Sequence, residues 1–172
     1  HPLHPNGIAL EQGGSFLVAH LGATDGGIFR IAANGQAEPF LVELDGKPLP
    51  PTNFVHRDAL GRIWICVSTR LHPRTLAYRK AADDGYVILV DTQGARIVAD
   101  GLGYTNECVV DCEAGLFFVN ETFGRRISRF SIAPDGGLMD RATVAEFGAG
   151  TFPDGLSLDA EGGLWVTSVV SN

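Results

Sequence analysis

The chain has 172 residues, 45% of them hydrophobic and 19% charged, which allows one domain with a sizeable core and excludes disorder as its general state. Thirteen basic against twenty acidic side chains leave a net charge of −7, so neither a nucleic-acid groove nor an anionic membrane surface is expected, because both need clustered Lys and Arg. Three cysteines are too few for a disulfide scaffold, whereas 22 glycines and 9 prolines without a collagen period imply many tight turns.

The predicted elements, taken in chain order, repeat four times. The first repeat opens on Asn6-Gly-Ile-Ala-Leu-Glu11, and strands follow over 16–18, 27–31 and 39–42. The second opens on Asn53-Phe-Val-His-Arg-Asp58 and continues with strands over 63–65, 86–90 and 95–98. A long insert, residues 69–83, separates its second and third strands and carries four Lys or Arg side chains. The third opens on Asn106-Glu-Cys-Val-Val-Asp111, with strands over 116–119, 127–132 and 143–147. The fourth opens on Asp154-Gly-Leu-Ser-Leu-Asp159 and has one further strand, over 164–166. The repeats start 47, 53 and 48 residues apart, and their leaders lie 11, 11, 12 and 11 residues before Leu17, Trp64, Phe118 and Trp165.

Within a repeat the period is two, the mark of strands with one buried face. Ile8 and Leu10 alternate with Gly7 and Ala9, and Leu156 and Leu158 with Ser157 and Asp159, so the leucine and isoleucine faces are expected inside. The acid five places after each leader (Glu11, Asp58, Asp111, Asp159) shortly precedes a glycine, which is hairpin-turn chemistry. No long amphipathic helix is predicted. Four strands per unit of roughly 40–50 residues is the pattern of a β-propeller, so the fold class is all-β. Residues 1–172 hold about three and a half blades, with repeats starting near Asn6, Asn53, Asn106 and Asp154. The run 164–172 reads as a strand cut short, and the chain as a piece of a longer one.

The first strand of each blade of a propeller lies beside the axis, so Asn6, Asn53, Asn106 and Asp154 are expected on one ring. One carboxylate and several carboxamide oxygens make a hard-oxygen site for Ca²⁺, Mg²⁺ or Mn²⁺, and Zn²⁺ also accepts carboxylates. The competing reading is that Asn and Asp before Gly are ordinary turn residues bonding their own backbone. The second acid of each repeat already fills the turn role, which leaves the leaders without one.

The runs Pro5-Asn-Gly-Ile-Ala-Leu10, Tyr104-Thr-Asn-Glu107, Val119-Asn-Glu-Thr-Phe-Gly-Arg-Arg-Ile-Ser-Arg-Phe130 and Phe152-Pro-Asp-Gly-Leu-Ser-Leu-Asp-Ala-Glu-Gly-Gly-Leu-Trp-Val166 resemble the SMP-30/gluconolactonase/LRE family over essentially the whole chain. The resemblance implies a six-bladed propeller in the full protein, with the first and last blades absent here and a divalent cation, Ca²⁺ first, on the axis. It implies Asn106 and Asp154 as metal ligands, Asn53 as a substrate-side residue, and Asn6 as an Asn that many bacterial members carry one blade earlier. The family's remaining protein ligand, a Glu of the first blade, has no match. Where some members place a substrate-contacting Arg, two residues before Asn53, this chain has Pro51, so aldonolactone specificity does not follow. The implied activity is a metal-dependent hydrolase that opens a sugar or related lactone, with Asp154 as the catalytic base. Two alternatives remain open: a non-catalytic propeller that binds or scaffolds around a structural ion, and a hydrolase of aryl or phosphate esters.

Other candidates are weaker. His1 and His4 form a possible metal pair at a terminus. His20 and His56 are candidates for acid–base or substrate-binding groups at the channel mouth, against a structural role as strand histidines. His72 reads as a solvated loop residue. The insert is either a substrate-contacting lid or a surface loop. Glu121 with Arg125 and Arg126 reads as a surface ion pair. Cys66, Cys108 and Cys112 read as free thiols of a cytoplasmic chain, and nothing resembles a signal peptide. The Asn120-Glu-Thr122 sequon has meaning only in a secreted protein. No nucleophile elbow, P-loop or zincin motif occurs. The expected partner is a small lactone or ester, without nucleic acid or membrane.

Overall fold

The computed structural model describes residues 2–169. His1, and with it the His1–His4 pair, lies outside the described residues, as does the end of the predicted last strand, 170–172.

The described residues run through sixteen strands. The first sheet holds β1 (Pro5–Leu10), β2 (Phe16–Leu21), β3 (Gly26–Ile31) and β4 (Ala37–Leu41), hydrogen-bonded in that order. A small hairpin of β5 (Glu43–Leu44) and β6 (Lys47–Pro48) follows, which sequence periodicity is too short to reveal. The second sheet holds β7 (Thr52–Arg57), β8 (Ile63–Val67), β9 (Gly85–Asp91) and β10 (Gly94–Leu102), with a short 3-10 helix, Arg74–Ala77, in the insert after β8. The third holds β11 (Thr105–Asp111), β12 (Leu116–Glu121), β13 (Arg126–Ile132) and β14 (Leu138–Glu146). Two strands, β15 (Pro153–Leu158) and β16 (Leu164–Ser168), make the last sheet. All pairs are antiparallel meanders. The first strands stack from blade to blade: β1 on β7, β7 on β11, and β11 on β15. This is the predicted propeller arrangement, present as three four-stranded blades and one two-stranded blade.

The core lies between blades. In β8 every side chain is buried, and alternate residues serve two different layers. Ile65 and Val67 join Leu17, Ile28 and Val55 between the first and second blades. Trp64 and Cys66 join Leu89, Cys108 and Phe117 between the second and third. A strand covered on both faces reads as a continuous apolar run, which is why residues 63–67 show no alternation.

The same principle corrects one expectation. In β1 the buried face is Gly7 and Ala9, while Ile8 is 58% and Leu10 77% exposed. Gly7 meets Phe54 of β7 so closely that a Cβ would overlap the ring. The Ile8 and Leu10 face is apolar too, but no second sheet lies against it among the described residues. Both faces of a blade are built for burial, so leucine alone does not say which face is covered.

The three aspartates of the turns, Asp58, Asp111 and Asp159, behave as predicted. Asp58 accepts the N–H groups of Leu60 and Arg62, the Arg62 Nε–H at 2.6 Å and the Trp64 indole at 2.9 Å. Asp159 repeats this with Glu161, Gly163 and Trp165. Glu11 differs: its longer side chain reaches Arg30 and Ser15 instead.

Glu121 corrects a second expectation. It is fully buried and accepts from Arg126, Arg141, Ser128 and the Gly103 N–H. Arg126 is the neighbour the sequence suggests, but Gly103 and Arg141, 18 and 20 residues away, give no sign in the local sequence. Asn120 is equally buried, which closes the sequon to modification. Cys66 and Cys108 are buried and Cys112 is half-buried, all three as free thiols. No helix among the described residues is long and apolar enough to cross a membrane.

Candidate functional site

The blade pitch decides what reaches the axis. Each leader sits at or near the start of its inner strand, and third-strand glycines let adjacent blades close up there. A methyl on Gly26 would overlap the Pro50 carbonyl just before β7, and one on Gly85 would overlap Thr105 at the start of β11. Thr52 Oγ1 then takes the Gly27 N–H at 2.9 Å, pinning β7 to the first blade.

All four leaders line one cavity of about 250 Å³, and they meet in two pairs. Asn6 Nδ2 donates to Asn53 Oδ1 at 2.7 Å and to the Asn53 carbonyl at 2.8 Å. Asn106 Nδ2 donates to Asp154 Oδ1 at 2.6 Å. Asn53 and Asn106 are almost wholly buried, at 3% and 6% exposure, so their carboxamides are held rather than mobile.

A repeated hydroxyl holds them. Asn53 Nδ2 donates to Ser68 Oγ, which donates to the Thr105 carbonyl, both at 3.0 Å. Asn106 Nδ2 donates to Thr122 Oγ1 at 2.9 Å, and Thr122 Oγ1 donates to the Pro153 carbonyl at 2.8 Å. In the second and third blades the leader is thereby tied to the residue before the next leader. Ser68 and Thr122 were not anticipated, although a signal exists. They stand 15 and 16 residues after their leaders, where the other two repeats have Leu21 and Val169. All but Ser68 line the cavity.

Glu107 was also missed. It follows Asn106, accepts the Leu156 N–H at 3.0 Å, and is half-buried. Burial pushes its carboxyl up and the Asp154 charge adds to this, against the Leu156 hydrogen bond. Asn120 Nδ2 donates to the Asp154 carbonyl at 2.7 Å and fixes the backbone beneath the carboxylate.

The insert is anchored, not loose. Ala77 and Ala82 are buried against Tyr104, and Thr69 and the Arg70 N–H bond Asp84. Arg74, Tyr78, Tyr104 and Phe123 line the same cavity as the leaders. Tyr104 adopts a left-handed backbone conformation, φ 67°, that turns the chain just before Asn106. Burial pushes its phenol up to about 12, against the Arg74 hydrogen bond, so it is a neutral hydroxyl at physiological pH.

The predicted histidines are not brought here. His56 lies along β7 paired with Trp64 and outside the lining, and burial lowers its pKa against the pull of Asp58. His20 is buried, accepts the His4 N–H and meets Asp25 at 3.3 Å. It lines a separate cleft of about 490 Å³ that contains none of the leaders. His72 is exposed, as expected.

The donor set fits a hard cation in kind: one carboxylate, Asp154, beside the carboxamides of Asn106 and Asn53. In number it falls short of the six to eight oxygens that Ca²⁺ takes. Among the described residues, no group of three His, Cys, Asp or Glu side chains is placed to hold a metal.

Solved structures share the fold. A gluconolactonase from Xanthomonas campestris is 25% identical, with a TM-score of 0.77 over 95% of this chain and 56% of its own. A calcium-binding regucalcin from Agrobacterium tumefaciens is 20% identical, with a TM-score of 0.73 over 97% and 54%. A chain of a nidogen/laminin complex, 19% identical, gives 0.67 over 96% and 57%. The chain spans a little over half the length of these proteins. A family model covers residues 2–172, and by that match the chain belongs to the family described as the SMP-30/Gluconolactonase/LRE-like region.

Proposed function

We propose that this chain carries the core of a metal-dependent hydrolase of lactones. The observation that supports it is the contact of Asn106 with Asp154 in a cavity whose wall also carries Asn53 and Asn6. Asn106 Oδ1 and the Asp154 carboxylate would hold the cation, with further oxygens from water or from outside the described residues. A bound divalent cation polarises a lactone carbonyl and stabilises the developing oxyanion.

The chain's own residues do the rest. Asn106 Nδ2 occupies Asp154 Oδ1, which leaves Oδ2 to take a proton from an attacking water. Asn120 fixes the Asp154 backbone and Asn106 holds its carboxylate in place through the step. Asn6 and Asn53 hold the ring substituents of the substrate, and Tyr104 supplies a neutral hydroxyl at the wall. His56 has no part in this reading, because it does not line the cavity.

The test is a lactone panel on the full-length protein. Hydrolysis should fall to background with chelator and return with Ca²⁺. Asp154→Asn should cut kcat by at least about a hundredfold, the usual worth of a general base, with the fold intact by circular dichroism. Turnover that survives chelation and Asp154→Asn would sink the proposal. A silent panel, with Ca²⁺ still raising the melting temperature, would favour a binding module built round a structural ion.

A further inference from the structure

Arg30, Arg62, Arg70, Arg96, Arg126 and Arg141 each meet an Asp or Glu side chain. Arg74 makes no such pair among the described residues, although it shares its cavity with Asp154. Instead its Nη1 donates to the phenols of Tyr104 at 2.9 Å and Tyr78 at 3.0 Å. Those acceptors are uncharged, so the guanidinium is positioned but not neutralised. Its Nε and Nη2 take no partner among the described residues and keep the planar fork that fits a carboxylate. The protein carries a net charge of −7, so its overall field repels anions, and an uncompensated cation in a cavity is a local exception.

Rings flank this cation. Tyr78 stacks on Phe123 with centroids 4.4 Å apart and planes at 20°. Tyr104 stands edge-on to both, at 5.4 and 4.9 Å. Leu21 and Val169 complete an apolar stretch of the lining. This side of the cavity offers flat faces and few hydrogen-bonding partners, unlike the opposite lining of Asn6, Asn53, Asn106, Thr122 and Asp154. The volume of about 250 Å³ lies below the usual range for drug-sized ligands, so the occupant is compact.

We infer that Arg74 and the Tyr78–Phe123 stack form a subsite for a carboxylate carried on a flat, apolar ring, and that the substrate is a carboxylate-bearing lactone rather than a neutral sugar lactone. The word lactone rests on the proposed function; the carboxylate subsite does not.

The probes are benzoate, its neutral analogue benzamide, and gluconate, which keeps the charge without the ring. Binding to the full-length protein is measured by calorimetry. Benzoate should bind about tenfold more tightly than benzamide, the worth of a charge-assisted hydrogen-bond pair, and more tightly than gluconate. Arg74→Gln should erase the preference for benzoate over benzamide, and Arg74→Lys should keep part of it. Comparing two ligands of one shape removes any general damage to the cavity. Equal binding of benzoate and benzamide, a preference that survives Arg74→Gln, or tighter binding of gluconate would each overturn the inference. Benzoate preference in a protein that opens no lactone upholds the subsite and sinks only the catalytic reading.

Discussion

Glu121 is buried completely, and burial by itself would raise its pKa. Hydrogen bonds from Arg126, Ser128 and the Gly103 N–H, with the charge of Arg141, outweigh that and hold it below the ordinary carboxylate value of 4.5. A group with a lowered folded pKa contributes stability above its unfolded value and loses it as pH falls through the folded one. Removing one partner of a buried ion pair costs roughly 3–5 kcal/mol. Its arginines are 28% and 34% exposed, so Glu121→Gln should cost the lower figure, about 3 kcal/mol of urea-unfolding free energy at pH 7. The gap to the native protein should close as pH falls below about 4.5. Parallel acid sensitivity of the two proteins would contradict this account. At this scale the leaders were legible, because a repeat places equivalent residues at equivalent positions. Their pairing was not: nothing in the spacing says that Asn6 meets Asn53 while Asn106 meets Asp154. Of the partners of Glu121, Arg126 was legible as a neighbour in the turn, while Arg141 and Gly103, 20 and 18 residues away, were not.

Among the elements, the hairpin turns carry the clearest sequence signal and a clear energetic consequence. Asp58 and Asp159 hold equivalent positions and both accept two turn N–H groups and a tryptophan indole six residues on, and Asp58 alone also takes the Arg62 guanidinium. Their surroundings differ, since the Asp58 side chain is fully buried and Asp159 has solvent around it. Each hydrogen bond to a buried charge is worth roughly 1.5–3 kcal/mol, so Asp58→Ala should lose about 3 kcal/mol after partial rearrangement. Asp159→Ala should lose clearly less. Paired thermal or urea unfolding of the two variants measures this, and equal losses would show that neither burial nor the Arg62 ion pair adds to the turn. Strand existence and order were readable for the same reason as these turns: local chemistry fixes them. The buried face of β1 was misread because both faces are apolar and only the neighbouring sheet decides between them. The 3-10 helix of the insert gave no periodic signal, being a single turn anchored by Ala77 and Ala82 rather than by an amphipathic face.

At the scale of the molecule, stability comes from layers between sheets, each built half by one blade and half by the next. The two tryptophans report on those layers. Trp64 is fully buried, with its ring centroid 4.9 Å from that of Phe117 in the third blade. Trp165 occupies the same place in the last sheet, makes the same indole bond to its turn acid, and is 69% exposed. The difference is the presence of a following sheet, not anything local. In the 172-residue chain, Trp165→Phe should leave a blue-shifted emission that acrylamide barely quenches. Trp64→Phe should leave a red-shifted emission that it quenches readily. A longer protein with a further sheet against β16 should protect both indoles, because that sheet would repeat the layer that covers Trp64. If the Trp165→Phe chain is instead fully quenchable, the layer between the second and third blades is not formed in solution, and the stacking on which the axial cavity depends fails with it.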